Sequence, residues 1–270
     1  MTEQAKFNVL LMGPIGTGKT HSCRTLIEGE LVRKLFILSV EPGIHTIMGD
    51  MPTDRVHWQY IAPASTDWDT MIKNAELVNR YGPEQLQKMQ WPNKQEYGQF
   101  IEVIRALSNF TCDRTGEEFG PVDEFPSDCA LVLDGLSGVS KMAMDVVVGA
   151  KPIKSQPEWG IAQDNVRHLL DKCCYETKCT FVLLAHVNRN KDEVTGGTYV
   201  TIDTLGQKLA PDIPKPFDEV VYTTRERGNF KWSTERAQTD LKARILPFSD
   251  DLEPNFKQLW DNYKKMEGDR

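Results

Sequence analysis

The chain opens on apolar runs separated by glycine turns. Residues 7–12 (FNVLLM) form a short apolar run, the pattern of a buried strand. A glycine-rich segment follows at 13–20, and then residues 19–32, where Leu26, Ile27 and Leu31 recur at helical spacing. Residues 35–40 (LFILSV) form a second run, closed by Glu41-Pro42-Gly43, since proline lacks the ladder N–H and glycine permits the turn. Two such strands joined by a helix make a right-handed parallel unit.

The pattern then repeats with variations. Residues 57–61 (HWQYI) predict a third strand, and Ser65 or Thr66 can cap a helix that puts Trp68, Met71, Ile72, Ala75 and Val78 on one face. A further helix at 95–110 places Phe100, Ile101, Ile104 and Leu107 similarly, and residues 111–128, rich in Gly, Pro and acid, read as a surface loop or small insertion. Residues 130–133 (ALVL) form a buried strand ending in Asp134-Gly135, followed by a helix at 159–175 and the buried strand 180–185 (TFVLLA). Residues 188–197 are polar and glycine-bearing, hence a loop. Strands 220–224 and 229–233 flank Arg225-Glu226-Arg227-Gly228 as a hairpin, and a last helix at 254–266 aligns Phe256, Leu259, Trp260 and Tyr263. The expected fold is α/β, with a mostly parallel central sheet flanked by helices, a late β-hairpin and a C-terminal helix. Residues 1–249 form the core, with 111–129 as the insertion, and residues 250–270 form the terminal helix and tail.

Composition narrows the function. At 270 residues the chain can bury a full α/β core. Its net charge of −7 excludes a surface that binds nucleic acid everywhere, so any such contact is local. No apolar run approaches the length of a membrane span and no leader precedes the first strand, which points to the cytoplasm and away from a membrane partner. Cys23, Cys112, Cys129, Cys173, Cys174 and Cys179 show no paired C-x-x-C spacing, so neither zinc nor a disulfide framework is indicated. Cys173, Cys174 and Cys179 read as packing and surface thiols, and a reducing compartment fits.

The candidate chemistry starts at Gly13-Pro14-Ile15-Gly16-Thr17-Gly18-Lys19-Thr20, which matches G-x-x-x-x-G-K-[ST] between a strand and a helix. In such a loop the backbone N–H groups wrap a β-phosphate, Lys19 reaches the β and γ oxygens, and the Thr20 hydroxyl goes to Mg²⁺. ATP and Mg²⁺ are the expected ligands, with Gly13, Pro14, Gly16, Thr17, Gly18, Lys19, Thr20 and His21 binding the nucleotide. Asp134, at a strand end, suits the second position of the metal shell; the alternative is an N-cap for the next helix. Many P-loop ATPases carry a catalytic glutamate directly after that aspartate, whereas Gly135 stands here, so the water-orienting carboxylate comes from elsewhere. Glu41, ending the second strand on the same edge, is the candidate, and a solvated turn glutamate is the alternative. His45, a few residues on, is a candidate to stack on the base.

The order of these elements, with Leu184-Ala185-His186 ending the next core strand, resembles the RecA-type core. A more specific likeness is to compact phage ATP-binding proteins of this class, the RecA-core single-strand annealing recombinases. It covers most of residues 7–246 through the phosphate loop, LLAHVNRNKDE, Pro216-Phe217-Asp218-Glu219-Val220 and Asp240-Leu241-Lys242-Ala243-Arg244. The resemblance implies that His186 senses the γ-phosphate, although bacterial RecA has glutamine there, and that Lys19, Glu41 and His186 form the catalytic group. It implies that Lys242 and Arg244 reach the ATP of a neighbouring subunit in a ring or filament; the alternative is two exposed charges on an edge strand. It also implies single-stranded DNA binding on two loops, through Lys151, Lys154 and Trp159 and through Arg189, Lys191 and Lys208, where Glu158, Asp192 and Glu193 dilute the charge. Without the resemblance these are solvated loops. A DNA-stimulated ATPase that anneals or exchanges strands as a homo-oligomer follows, with a single-strand binding protein as accessory partner and the host cytoplasm as location. The competing readings are a helicase or packaging motor, and a nucleotide-gated assembly protein.

Overall fold

The computed structural model describes residues 5–44, 49–89, 94–191 and 196–268. In its first half the chain runs β1 (Asn8–Met12), α1 (Lys19–Ser22), α2 (Thr25–Glu28), β2 (Lys34–Ser39), β3 (Val56–Tyr60), α3 (Trp68–Arg80), α4 (Pro83–Lys88), α5 (Gln99–Ser108), β4 (Phe110–Thr111) and β5 (Glu118–Gly120). It continues through β6 (Cys129–Asp134), α6 (Leu136–Val148), α7 (Gln156–Asp171), β7 (Thr180–Ala185), β8 (Val187–Lys191), β9 (Thr198–Ile202), α8 (Gly206–Leu209), β10 (Glu219–Glu226), β11 (Asn229–Ser233) and α9 (Lys257–Gly268). Among the described residues one sheet has the order β11-β10-β1-β7-β6-β2-β3, parallel throughout except for the β10–β11 hairpin. This is the mostly parallel α/β architecture expected from the apolar runs.

Alternation along those runs builds two cores. Leu10, Phe36, Leu131 and Leu183 face one layer with α5, α6 and α7, while Val9, Leu35, Val132 and Val182 face the other with α2 and α9. Because β7 lies between β1 and β6, the C-terminal ends of β1, β7, β6 and β2 stand side by side. The residues that follow those four strands therefore meet at one edge, and the β10–β11 hairpin flanks β1 on the other side.

Several expectations change. The helix expected over 19–32 is two single turns, because the hydroxyls of Ser22 and Thr25 bond back to the carbonyls of Lys19 and Ser22 and compete with the helical ladder. The cap of α3 is Asp67, whose carboxylate accepts the Thr70 N–H at 2.9 Å, and neither Ser65 nor Thr66. The apolar stripe of α3 is solvent-facing, with Trp68 79 % exposed, since spacing predicts a helix but not its partner. In α5 the buried residues are Phe100, Val103 and Ala106, while Ile101 and Ile104 face outward.

Residues 111–128 are not a surface loop. They contain β5, paired with β4, and bury Cys112, Val122 and Phe125, with Phe36 packed 4.1 Å from Phe125 and 5.0 Å from Phe119. Aromatic anchors outweigh the turn-forming composition there. Of residues 188–197, expected as a loop, those at 188–191 belong to strand β8, paired antiparallel with β9. Helix α9 packs on the core through Phe7, 4.8 Å from Trp260 and 5.3 Å from Tyr263. All six cysteines are buried and free, including those expected as surface thiols. No helix among the described residues is long and apolar enough to cross a membrane.

Candidate nucleotide-binding site

The loop after β1 is shaped by its glycines and by β10. Gly16 and Gly18 adopt φ 75° and 80°, a left-handed backbone that other residues resist. Gly13 approaches Thr223 so closely that a Cβ would lie 2.2 Å from its Oγ1. Thr223 also holds the loop through Thr17, with hydroxyl oxygens 2.6 Å apart. Lys19 is buried, and its Nζ donates to the carbonyls of Gly13 (2.8 Å) and Pro14 (2.9 Å), folding back over the loop. Burial lowers its pKa to about 8, against the pull of Glu41 and Asp134.

Strand order gathers the other groups around this amine. Asp134, the last residue of β6, is buried and accepts the Thr20 hydroxyl at 3.0 Å. Its pKa is pushed up to about 6, first by burial and then by Glu41. A buried carboxylate crowded by a second one, with a threonine hydroxyl attached, is a hard oxygen set deficient in positive charge, which fits Mg²⁺. Glu41 follows β2, and both its oxygens lie within 3.1 Å of His186 Nε2. That hydrogen bond holds the Glu41 carboxyl below its ordinary pKa and outweighs its burial. On the other side of the ring, Nδ1 is 3.4 Å from Lys19 Nζ. An ammonium only donates, so this arrangement assigns the ring proton to Nε2, which donates to Glu41.

Gly135 explains how Glu41 comes to fill this place. Its φ is 108°, and a Cβ there would lie 2.8 Å from Glu41 Cγ and 2.8 Å from Val40 Cγ2. The glycine after Asp134 leaves room for a carboxylate from the adjacent strand. Gly135→Ala is expected to destabilise the fold by about 1–3 kcal/mol and to displace Glu41, seen as a lowered denaturation midpoint together with lower turnover.

Asp134 itself gives a pH-dependent expectation for metal-free protein. With its folded pKa raised to about 6, the native state holds a proton that the unfolded chain, with a pKa of 3.8, has already lost. Stability therefore falls as pH rises through that window and returns on acidification. Asp134→Asn should flatten the window and raise stability at pH 7 by as much as about 3 kcal/mol in chelator, measured by thermal melts, while removing the metal response.

The remaining candidates lie elsewhere. Lys151 is paired with Glu158 at 2.7 Å, and Glu158, which also caps α7 through Ser155, has its pKa lowered to about 2, first by Lys151. Trp159 is half-buried, with Lys154 Nζ 5.7 Å from its ring centre and Gly206 packed beside it. Arg189 and Lys191 are exposed on β8, and Lys208 is exposed on α8. The two segments do meet: Gln163 on α7 donates to the Leu205 carbonyl at 2.9 Å, and Ser140 Oγ is 2.8 Å from Thr204 Oγ1. Lys242 and Arg244 sit towards the N-terminal ends of β1 and β10, away from the loop. There Lys242 donates to the carbonyls of Lys215 and Phe217, and Arg244 pairs with Asp218 at 2.8 Å. His21 is exposed directly after the loop, and His45, Asp192 and Glu193 lie outside the described residues. Thr223 carries no signal in the sequence, because only strand order brings it to the loop.

The AAA domain family matches residues 5–245 of the chain. No curated protein matches it by sequence. Among solved structures it is similar to a prototypical ATPase from the type III secretion system of pathogenic bacteria, at 10% identity and a TM-score of 0.43 over 81% of this chain. It spans about half (51%) of that ATPase's length. It is also similar to the RadB recombinase, at 12% identity and a TM-score of 0.35, over 86% of this chain and 82% of that one.

Proposed function

The chain belongs to the AAA domain family, and from that premise we propose that it is a Mg²⁺-dependent ATPase that binds single-stranded DNA and promotes annealing or strand exchange as an oligomer. One observation carries the reading: His186 touches Lys19 and Glu41 with its ring, while its carbonyl accepts the Asp203 N–H at 2.9 Å at the base of the β8–β9 hairpin. The same residue belongs to the phosphate site and to the hairpin that carries Arg189 and Lys191.

The residues divide the work. Lys19, now turned onto its own loop, has its donors redirected to phosphate oxygens when ATP enters. Thr20 and Asp134 would hold Mg²⁺, which supplies neutralisation of phosphate charge. Glu41, kept ionised by His186, accepts a proton from a water aligned with the γ-phosphate. His186 loses its Lys19 contact as that amine turns to phosphate. Its ring, still bonded to Glu41, shifts with the departing amine, and its backbone passes the shift to Asp203 and the hairpin. Local cations are sufficient for a chain of net charge −7: Arg189, Lys191, Lys154 and Lys208 pair with phosphates, and Tyr199 on β9, 37 % exposed, offers a stacking ring. Lys242 and Arg244 would act only towards a neighbouring subunit.

The test is annealing of complementary oligonucleotides by purified protein. ATP and Mg²⁺ should accelerate it in proportion to protein oligomer, and an annealing rate identical to that of protein-free strands would remove the recombination reading.

A further inference from the structure

The hairpin beyond the phosphate loop carries a feature that the phosphate chemistry does not use. Thr223 and Arg225 alternate along β10, and their partners across the hairpin are Trp232 and Phe230, so these four side chains share one face. Thr223 grips Thr17 at 2.6 Å, which fixes that face against the loop. One step further out, Phe230 overhangs Gly18: a Cβ on Gly18 would lie 3.0 Å from Phe230 Cδ1. The ring is 37 % exposed, and the exposed Arg225 guanidinium stands 5.2 Å from its centre. The ring stands beyond Trp232, which fills the core below it, and it leaves one part open to solvent beside the phosphate loop.

Sheet order gives the pair a direction. Asp134, Glu41 and His186 all lie on the β7–β6–β2 side of the loop, and β10–β11 lies on the opposite side of β1. A triphosphate whose terminal phosphate faces the carboxylates leaves the loop towards the hairpin. We propose that Phe230 and Arg225 form the platform on which the base of the bound nucleoside triphosphate stacks, an inference that rests on the loop being a nucleotide site. A flat, polarisable ring beside a planar cation suits a nucleobase, which has a π face and ring acceptors. Gly18 serves this arrangement too, because any side chain there would press on the ring.

Titration calorimetry of the full chain with ATP and with inorganic tripolyphosphate, both with Mg²⁺, separates base from phosphate recognition. In Phe230→Leu, which keeps apolar bulk beside Gly18, the ratio of ATP to tripolyphosphate affinity should fall about fivefold or more, while Phe230→Trp keeps the wild-type ratio. Arg225→Ala should lower the ratio in the same direction. An unchanged ratio in Phe230→Leu, including an equal loss for both ligands, overturns the platform and leaves the phosphate site intact. Wild-type protein that binds neither ligand overturns the nucleotide reading itself.

Discussion

Lys19→Ala is expected to weaken nucleotide binding sharply, with ATP affinity lowered by about 2–5 kcal/mol, roughly 30- to several-thousand-fold, and turnover lost with it. Lys19 is the cation at the centre of the site, with its amine close to the Gly13 and Pro14 carbonyls and to His186. It is buried, so its charge acts at short range with little screening by water. Truncation removes a buried cation that faces the standing carboxylates and would face the entering phosphates. The carboxylates of Asp134 and Glu41 then repel the entering phosphates. A fluorescent ATP analogue titrated into both proteins measures the loss, and affinity within about fivefold of wild type would show that Lys19 does not contact phosphate.

Glu41→Gln separates binding from chemistry. Gln keeps an oxygen that can accept from His186 Nε2, so the ring and the Gly135 turn need not move. It removes a negative charge that raises the Asp134 pKa, leaving Asp134 more readily ionised and the site less repulsive to phosphate. ATP affinity is therefore expected to hold or rise. What disappears is the proposed proton acceptor, and its loss is expected to lower turnover about 10²–10⁴-fold. Phosphate release measured beside analogue binding reads both effects. Full turnover in this variant would mean that another group orients the water.

Much of this site was legible along the chain because its parts are strand ends. The runs 7–12, 35–40, 130–133 and 180–185 are buried on both faces, so they read as strands without a structure, and Lys19, Glu41, Asp134 and His186 stand just past them. Sequence does not state which strands are neighbours. The meeting of Gly135 with Glu41, and of Phe230 with Gly18, depends on the order β11-β10-β1-β7-β6-β2 and had no local signal. The β8 strand was hidden for another reason: Asn188, Arg189 and Lys191 are exposed, and a strand paired only with β9 carries no apolar run to betray it. Thr198 to Ile202, rich in β-branched residues, was the available clue. The α3 stripe erred in the opposite sense, since Trp68, Met71, Ile72 and Val78 have helical spacing yet stay exposed. Periodicity reports that a face is apolar, and packing decides whether this chain covers it.

Placement also sharpens the two cation groups. Lys151 is occupied by Glu158, which shifts weight in any DNA contact to Lys154, Lys208 and the hairpin cations. Lys242 is engaged by backbone carbonyls of its own chain, leaving Arg244, 60 % exposed at its side chain, as the more available of the pair.

The most direct measurement is the affinity of the protein for a fluorescent single-stranded oligonucleotide, with and without ATP·Mg²⁺, against a duplex of the same sequence. The site and the hairpin joined through His186 predict tighter binding with ATP, a preference for the single strand, and a complex that persists longer in Glu41→Gln, where ATP is held but not hydrolysed. Equal affinity with and without ATP, or for single strand and duplex alike, would contradict the account.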